Sequence, residues 1–111
     1  MDITPKEVRE YKSQNGKIPI REWLDSIQEK RTRGIIDIRL ERLRRGLLGE
    51  WETVGLGVSE LKIHYGPGYR IYFAQLDLAT VILFCGGDKN SQTRDIQKAF
   101  DYWMDYRRRI K

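Results

Sequence analysis

The sequence predicts an α+β fold, in which helices pack against an antiparallel sheet. Three observations favour this class. Apolar residues recur at helical spacing between residues 19 and 47, apolar and polar residues alternate between residues 60 and 74, and an unbroken apolar run occupies residues 80–85. A chain of 111 residues with 40% hydrophobic content is long enough for one core and too short for two ordinary domains. We therefore expect a single domain over residues 1–111.

The first half of the chain is predicted to form an N-terminal strand and a helical hairpin. Residues 8–12 alternate weakly, and Asn15-Gly16 follows as a turn. Pro19 suits a first helical turn, and Gly34 interrupts the pattern in a short basic connection. The apolar stripes of the two helices consist of Ile20, Trp23, Leu24 and Ile27, and of Ile36, Leu40, Leu43 and Leu47. Residues 50–58 are expected to be irregular.

The second half is predicted to form a three-stranded antiparallel β-meander and a C-terminal helix. Two strands alternate on either side of Gly66-Pro67-Gly68, and the third, at residues 80–85, is apolar throughout, as in a strand covered on both faces. Gly86-Gly87 is expected to end that strand. The helix is expected to be capped by Asp88, Asn90 or Ser91, and its apolar stripe comprises Ile96, Ala99, Phe100 and Trp103.

The register of the hairpin determines which side chains share a face. A three-residue loop pairs Tyr65 with Tyr69, which makes one face wholly apolar, whereas a two-residue loop mixes apolar and polar residues. In the preferred register His64 lies opposite Arg70 and Lys62 lies opposite Tyr72. These groups would then share one solvated face and could reach one phosphate. The alternative is that they simply face water, with Arg70 paired to Glu60.

Composition favours a polyanionic partner. The chain has 21 Lys and Arg against 16 Asp and Glu, a net charge of +5 and a pI near 9.5. The single cysteine, Cys85, cannot form an internal disulfide, and there is neither a secretory signal nor an apolar run of membrane-spanning length. We expect a cytoplasmic protein that contacts nucleic acid, most favourably RNA, and not a membrane. The residues give no reason to expect a metal or another cofactor.

The polar face carries groups that can cleave RNA without a metal. The 2′-hydroxyl loses a proton and attacks the adjacent phosphorus, and the 5′-oxygen leaves and gains a proton. Arg70 could hold the non-bridging oxygens, Lys62 could add positive charge, and His64 could exchange a proton near neutral pH. Exposed amides in the loop at residues 86–91, together with Lys89, could also attract an anion.

Three segments resemble the toxins of type II toxin–antitoxin systems. They are residues 60–73 with Gly-Pro-Gly-Tyr-Arg, residues 83–92 with Gly-Gly-Asp-Lys, and Ile-Arg-Glu-Trp-Leu at residues 20–24. In this order the segments are similar to the HigB-like branch of addiction module killer proteins in the RelE/ParE superfamily. The resemblance implies a RelE-like fold and an endoribonuclease that cleaves mRNA, commonly on the translating ribosome, and so inhibits translation and arrests growth. It also implies a cognate antitoxin, expected to be a small helix-turn-helix protein.

The resemblance also implies roles for particular residues. Arg70 corresponds to the arginine that stabilises the scissile phosphate, Lys62 and His64 to basic residues on the preceding strand, and Lys89 to a basic residue in the later loop. Some relatives carry a catalytic tyrosine or histidine soon after that loop, whereas residues 90–96 contain neither. ParE-like relatives instead inhibit DNA gyrase, and a module that binds RNA or the ribosome without cleavage is a further alternative.

Other cationic and aromatic residues complete the expected surface. Tyr72 and the helical arginines Arg39, Arg42 and Arg45 are expected to contact RNA. The same arginines and the tail at residues 107–109 would suit an acidic segment of the antitoxin. A solvated basic helix face is the alternative for these arginines.

Overall fold

The computed structural model describes residues 4–110, in which three helices cover the two faces of one sheet. In chain order, the strands and helices are β1 Glu7–Glu10, α1 Pro19–Ser26, α2 Lys30–Arg44, β2 Trp51–Gly55, β3 Val58–Ile63, β4 Tyr69–Asp77, β5 Thr80–Asp88 and α3 Gln92–Arg109. A 3₁₀ turn at Lys89–Ser91 lies between β5 and α3. None of these helices is long and apolar enough to cross a membrane.

The sheet is mixed, with the strand order β1-β5-β4-β3-β2. β1 runs parallel to β5, and the remaining neighbours are antiparallel. The α+β class is therefore confirmed, but the predicted three-stranded meander has a fourth strand, β2, where irregular chain was expected. β2 is an edge strand with four exposed residues, so it shows no alternation of apolar and polar side chains. A tight turn joins β2 to β3, with positive φ at Leu56 (55°) and Gly57 (84°).

The loop between β3 and β4 is longer than predicted. Lys62 pairs with Arg70 and Ile63 pairs with Tyr69, so five residues, 64–68, lie outside the ladder. The expected pairings of His64 with Arg70 and of Lys62 with Tyr72 are therefore wrong. Because the register differs by two residues, the side chains within the ladder, including Lys62 and Arg70, still lie on the face that the alternation predicted.

The sheet separates two hydrophobic cores, one beneath the helical hairpin and one beneath α3. Leu61, Ile71 and Leu83 pack towards α1 and α2, whose buried side chains include Ile20 and Ile36. The second core, beneath α3, comprises Tyr11, Val58, Tyr72, Ala74, Ile82, Phe84, Cys85 and Ala99. Residues 81–84 of β5 thus alternate between two buried faces, and a bulge then places Phe84 and Cys85 on the same side. This burial confirms that the apolar run belongs to a strand covered on both sides.

The helical hairpin differs from its prediction at the connection and at the end. Only residues 27–29 separate α1 from α2, and Gly34 lies inside α2. The predicted basic connection is therefore mostly helix. Leu47 follows the end of α2 and is 43% exposed, so it does not extend the apolar stripe.

Candidate nucleic-acid interface

Arg70 is the most constrained cation of the candidate site. Its Nε donates to Glu60 Oε1 at 3.2 Å and its Nη1 donates to the carbonyl of Gly68 at 3.2 Å. The side chains of Arg70 and Glu60 are only 12% and 3% exposed. Gln92 at the start of α3 donates to both carboxylate oxygens of Glu60, at 3.0 and 3.2 Å. The guanidinium is thus held by two anchors, while its Nη2 makes no hydrogen bond to residues 4–110.

Lys62 lies directly opposite Arg70 on the neighbouring strand. Its Nζ donates to Glu52 Oε1 at 2.5 Å, and its side chain is 21% exposed. This hydrogen bond raises the pKa of Lys62 and lowers the pKa of Glu52. Two cations therefore stand side by side on the α3 side of the sheet, each with its own carboxylate.

Lys89 joins this pair from the opposite side of Arg70. A Cβ atom placed on Gly68, which has a φ of +82°, would lie 3.4 Å from Arg70 Nη1 and 3.8 Å from Lys89 Cβ. The Lys89 side chain is exposed and forms no ion pair within the described residues. The two motifs that contain Arg70 and Lys89 therefore meet at the Gly68 turn.

Tyr72 is not available to RNA. Its side chain is fully buried beneath α3, and its hydroxyl has no hydrogen-bond partner among residues 4–110. Burial raises the pKa of this hydroxyl. The expectation of one solvated sheet face is wrong at this position because α3 covers the face from Tyr72 onward.

The two glycines of the Gly-Gly-Asp-Lys motif serve packing, and they do not form an anion-binding loop. A Cβ on Gly86 would lie 2.3 Å from the Trp23 ring, and a Cβ on Gly87 would lie 1.8 Å from Asp95 Oδ2. Both glycines belong to β5, which continues to Asp88. The prediction that these glycines end the strand is therefore wrong. Asp88 accepts from the amides of Asn90 and Ser91. The expected attraction of an anion to these amides is therefore wrong, since a carboxylate of the chain already occupies them.

His64 lies beyond the end of β3, away from the position opposite Arg70. Its Nε2 is 2.8 Å from Glu50 Oε1, and its side chain is 69% exposed. His64 and Lys62 share a groove of about 370 Å³ with Arg39 and Arg42 of α2. The structure therefore places the four predicted catalytic residues on two adjoining surfaces, with Lys62 between them.

The helical arginines have different roles. Arg39 donates to the carbonyls of Lys62 at 2.6 Å and Leu48 at 2.8 Å, and burial lowers its pKa. It fastens α2 to the end of β3 and to the segment before β2. The prediction that its guanidinium contacts RNA freely is therefore wrong. Arg42 is exposed in the groove, and Arg45 pairs with Glu41 at 3.4 Å.

No protein-family model matches this chain. An uncharacterized protein of Haemophilus influenzae is 40% identical to it over 77 residues, which make up 69% of this chain and 78% of that protein. The chain belongs to the family of that protein.

The sequence did not predict the polar residues at the start of α3 that support the site. Gln92 holds Glu60, and Ser91 donates to Asp95 Oδ2 at 2.5 Å above Gly87. No periodicity marks Asp95 as buried or Ser91 and Gln92 as its half-buried neighbours, since all three lie near the helix start, where polar side chains are common. The two adjacent glycines were the only available signal, because they indicate close approach of another group.

Proposed function

We propose that this protein is the toxin of a type II toxin–antitoxin system with a RelE-like fold, and that it is an mRNA endoribonuclease. The observation that carries the proposal is the fixed guanidinium of Arg70, whose Nη2 makes no hydrogen bond within residues 4–110, between Lys62 and Lys89. Preorganised cations favour a transition state that gains negative charge, and they need no reorganisation during the reaction. The net charge of +5 favours binding to the ribosome and its mRNA.

The proposed reaction is a transesterification within the RNA. The 2′-oxygen forms a bond to phosphorus as its proton leaves, and the bond from phosphorus to the 5′-oxygen breaks as that oxygen gains a proton. Arg70 binds the non-bridging oxygens, and Lys62 and Lys89 supply further positive charge. His64, hydrogen-bonded to Glu50, is assigned proton transfer. This assignment predicts that His64→Gln slows cleavage while leaving binding of RNA unchanged.

Arg70 is expected to be required for growth arrest by this protein. Inducing the protein without its antitoxin should arrest growth and produce discrete cut ends in mRNA. Arg70→Ala should reduce the rate of cleavage by about 10²–10³-fold, the usual effect of removing one group that stabilises developing charge. The matched control is Arg44→Ala, which removes an exposed arginine on the other side of the sheet.

Both variants are first compared with the wild type by circular dichroism, so that loss of folding is recognised. A folded Arg70→Ala variant that remains fully toxic would contradict the mechanism. Intact mRNA together with inhibition of supercoiling would indicate a ParE-like gyrase inhibitor instead.

A second candidate is a non-catalytic module that binds RNA or the ribosome. It is favoured by the carboxylate partners of the hairpin, since Lys62 and Arg70 are paired with Glu52 and Glu60. Such pairs weaken the field at a phosphate. This candidate predicts salt-sensitive binding without cut ends, even on translating ribosomes.

The proposed antitoxin partner is a small helix-turn-helix protein with an acidic segment. Arg42 offers an exposed cation for that segment. In the tail, Arg109 already pairs with Asp105 at 2.9 Å, and Arg107 lies over the Trp103 ring at 5.4 Å. If charge reversal at Arg42 and Arg108 left co-purification of the neighbouring gene product unchanged, these arginines would have no part in the interface.

A further inference from the structure

A groove lies where β1 stops short of the full length of β5. β1 pairs with β5 only as far as Leu83, and β5 continues to Asp88. No other strand within residues 4–110 flanks the outer edge of β5 beyond that point. The resulting opening has a volume of about 470 Å³ and is lined by α1, the end of β5 and the first turns of α3.

Two cations line this groove. Arg94 and Lys98 are exposed, stand one helical turn apart on α3 and form no ion pair within the described part of the chain. The two aspartates of the lining are engaged elsewhere. Asp88 accepts from the backbone at the start of the 3₁₀ turn, and buried Asp95 accepts from Ser91. The groove is therefore bordered by two cations that form no ion pair within the described residues and that can turn towards an anion.

The rest of the lining is largely aromatic. The half-buried rings of Trp23 and Tyr69 both border the groove, in an edge-to-face pair with centroids 6.2 Å apart. Gly86 and Gly87 also border it, with the Trp23 ring packed on Gly86 and Asp95 packed on Gly87. Aromatic faces beside cations form the usual surface for an unpaired nucleotide, in which the base stacks and the phosphate is paired.

We infer that this groove binds one nucleotide of single-stranded RNA beside the phosphate held by Arg70, with Arg94 and Lys98 on its phosphate and Trp23 or Tyr69 on its base. The inference rests on the proposed function. The register makes the two sites neighbours, because Arg70 pairs with Gly87 and Tyr69 pairs with Asp88.

The charge contribution is tested by equilibrium binding. A fluorescent single-stranded 2′-O-methyl oligoribonucleotide, which has no 2′-hydroxyl to attack, is titrated with the intact protein at several salt concentrations. The double variant Arg94→Ala/Lys98→Ala should weaken binding at least about tenfold and reduce the salt slope by about 1.4, since each contact to a single-strand phosphate contributes about 0.7. The control Lys30→Ala/Arg44→Ala removes two positive charges from α2 and should change affinity less than about twofold.

The location is tested by nuclear magnetic resonance with the same oligonucleotide. Binding should shift the indole N–H of Trp23 and the amides of Gly86 and Gly87. Equal losses in both double variants, absence of shifts at these three groups, or no binding at all would each overturn the inference.

The outcomes separate this inference from the proposed function. If mRNA is cleaved but the resonances of Trp23, Gly86 and Gly87 do not shift, the nucleotide-binding role of the groove is contradicted and the ribonuclease is not. Groove shifts without any cut ends contradict the ribonuclease alone and leave an RNA-binding module.

Discussion

Gly87 offers a quantitative test of how α3 is seated on the sheet. A methyl group there would lie 1.8 Å from Asp95 Oδ2 and 2.6 Å from Ser91 Oγ. Ordinary contact begins near 3.4 Å. Either the first turn of α3 must therefore move by about 1.6 Å, or the hydrogen bond from Ser91 to Asp95 must break.

The expected cost follows from these two alternatives. Overpacking a core costs about 1–3 kcal/mol, and a buried carboxylate that loses its hydrogen bond costs about 1–3 kcal/mol. We expect Gly87→Ala to reduce the free energy of unfolding by about 3 kcal/mol. With an unfolding entropy of about 2.1 cal/mol/K per residue, 1 kcal/mol corresponds to about 4 °C in a chain of this length, so Tm should fall by about 13 °C.

Urea denaturation followed by tryptophan fluorescence measures this change. Gly34→Ala is the matched control, because Gly34 lies inside α2 with no atom within 4 Å of the added Cβ. That variant should be more stable by about 0.5–1 kcal/mol. Gly87→Ala/Asp95→Ala removes the obstructing carboxylate and should be more stable than the sum of its single changes. A Gly87→Ala variant within about 0.5 kcal/mol of the wild type would refute the packing argument.

Two further predictions concern titratable groups. Tyr11 donates to Asp105 Oδ2 at 2.6 Å, and this bond lowers the pKa of Asp105, so the stability that it provides is present above the unfolded pKa near 3.9 and is lost as pH falls below it. Asp105→Asn should therefore destabilise by about 1 kcal/mol at pH 7 and much less at pH 3 in urea denaturation, and an equal loss at both would contradict this. Burial raises the pKa of Cys85 to about 12, so a thiol reagent at pH 8 should modify the unfolded protein but not the folded one; equal rates would show that the thiol is accessible.

Much of the fold was predictable because hydrophobic periodicity reports burial. The helical stripes and the apolar run of β5 each correspond to a covered face, so they located the elements correctly. The pattern also assigned Lys62 and Arg70 to one face, since that assignment depends only on residue parity. β2 was not predicted because an exposed edge strand has no apolar face and therefore no alternation of apolar and polar residues.

The site was less predictable because its chemistry depends on tertiary packing. The alternation of apolar and polar residues cannot show that α3 covers Tyr72. Charge alone cannot show that Arg39 donates its hydrogen bonds to backbone carbonyls. The length of the loop that contains Gly66–Gly68 depends on turn geometry. Pairing apolar residues across the hairpin fixes its register only to within two residues, because a shift of two leaves each side chain on the same face. The proximity of Arg70 and Lys89 was implied by resemblance, and not by any local pattern.

The parallel pairing of β1 with β5 constrains when a nascent chain can fold. Glu7 lies opposite Thr80, so the first strand must wait for about 70 further residues before its neighbour exists. At a synthesis rate of about 5–20 residues per second this delay is roughly 4–15 s. Arg70 and Lys89 likewise meet only after both segments have left the ribosome. A truncated product that ends before β5 therefore lacks the completed sheet, and synthesis through β5 and Lys89 becomes a prerequisite for any activity at this surface.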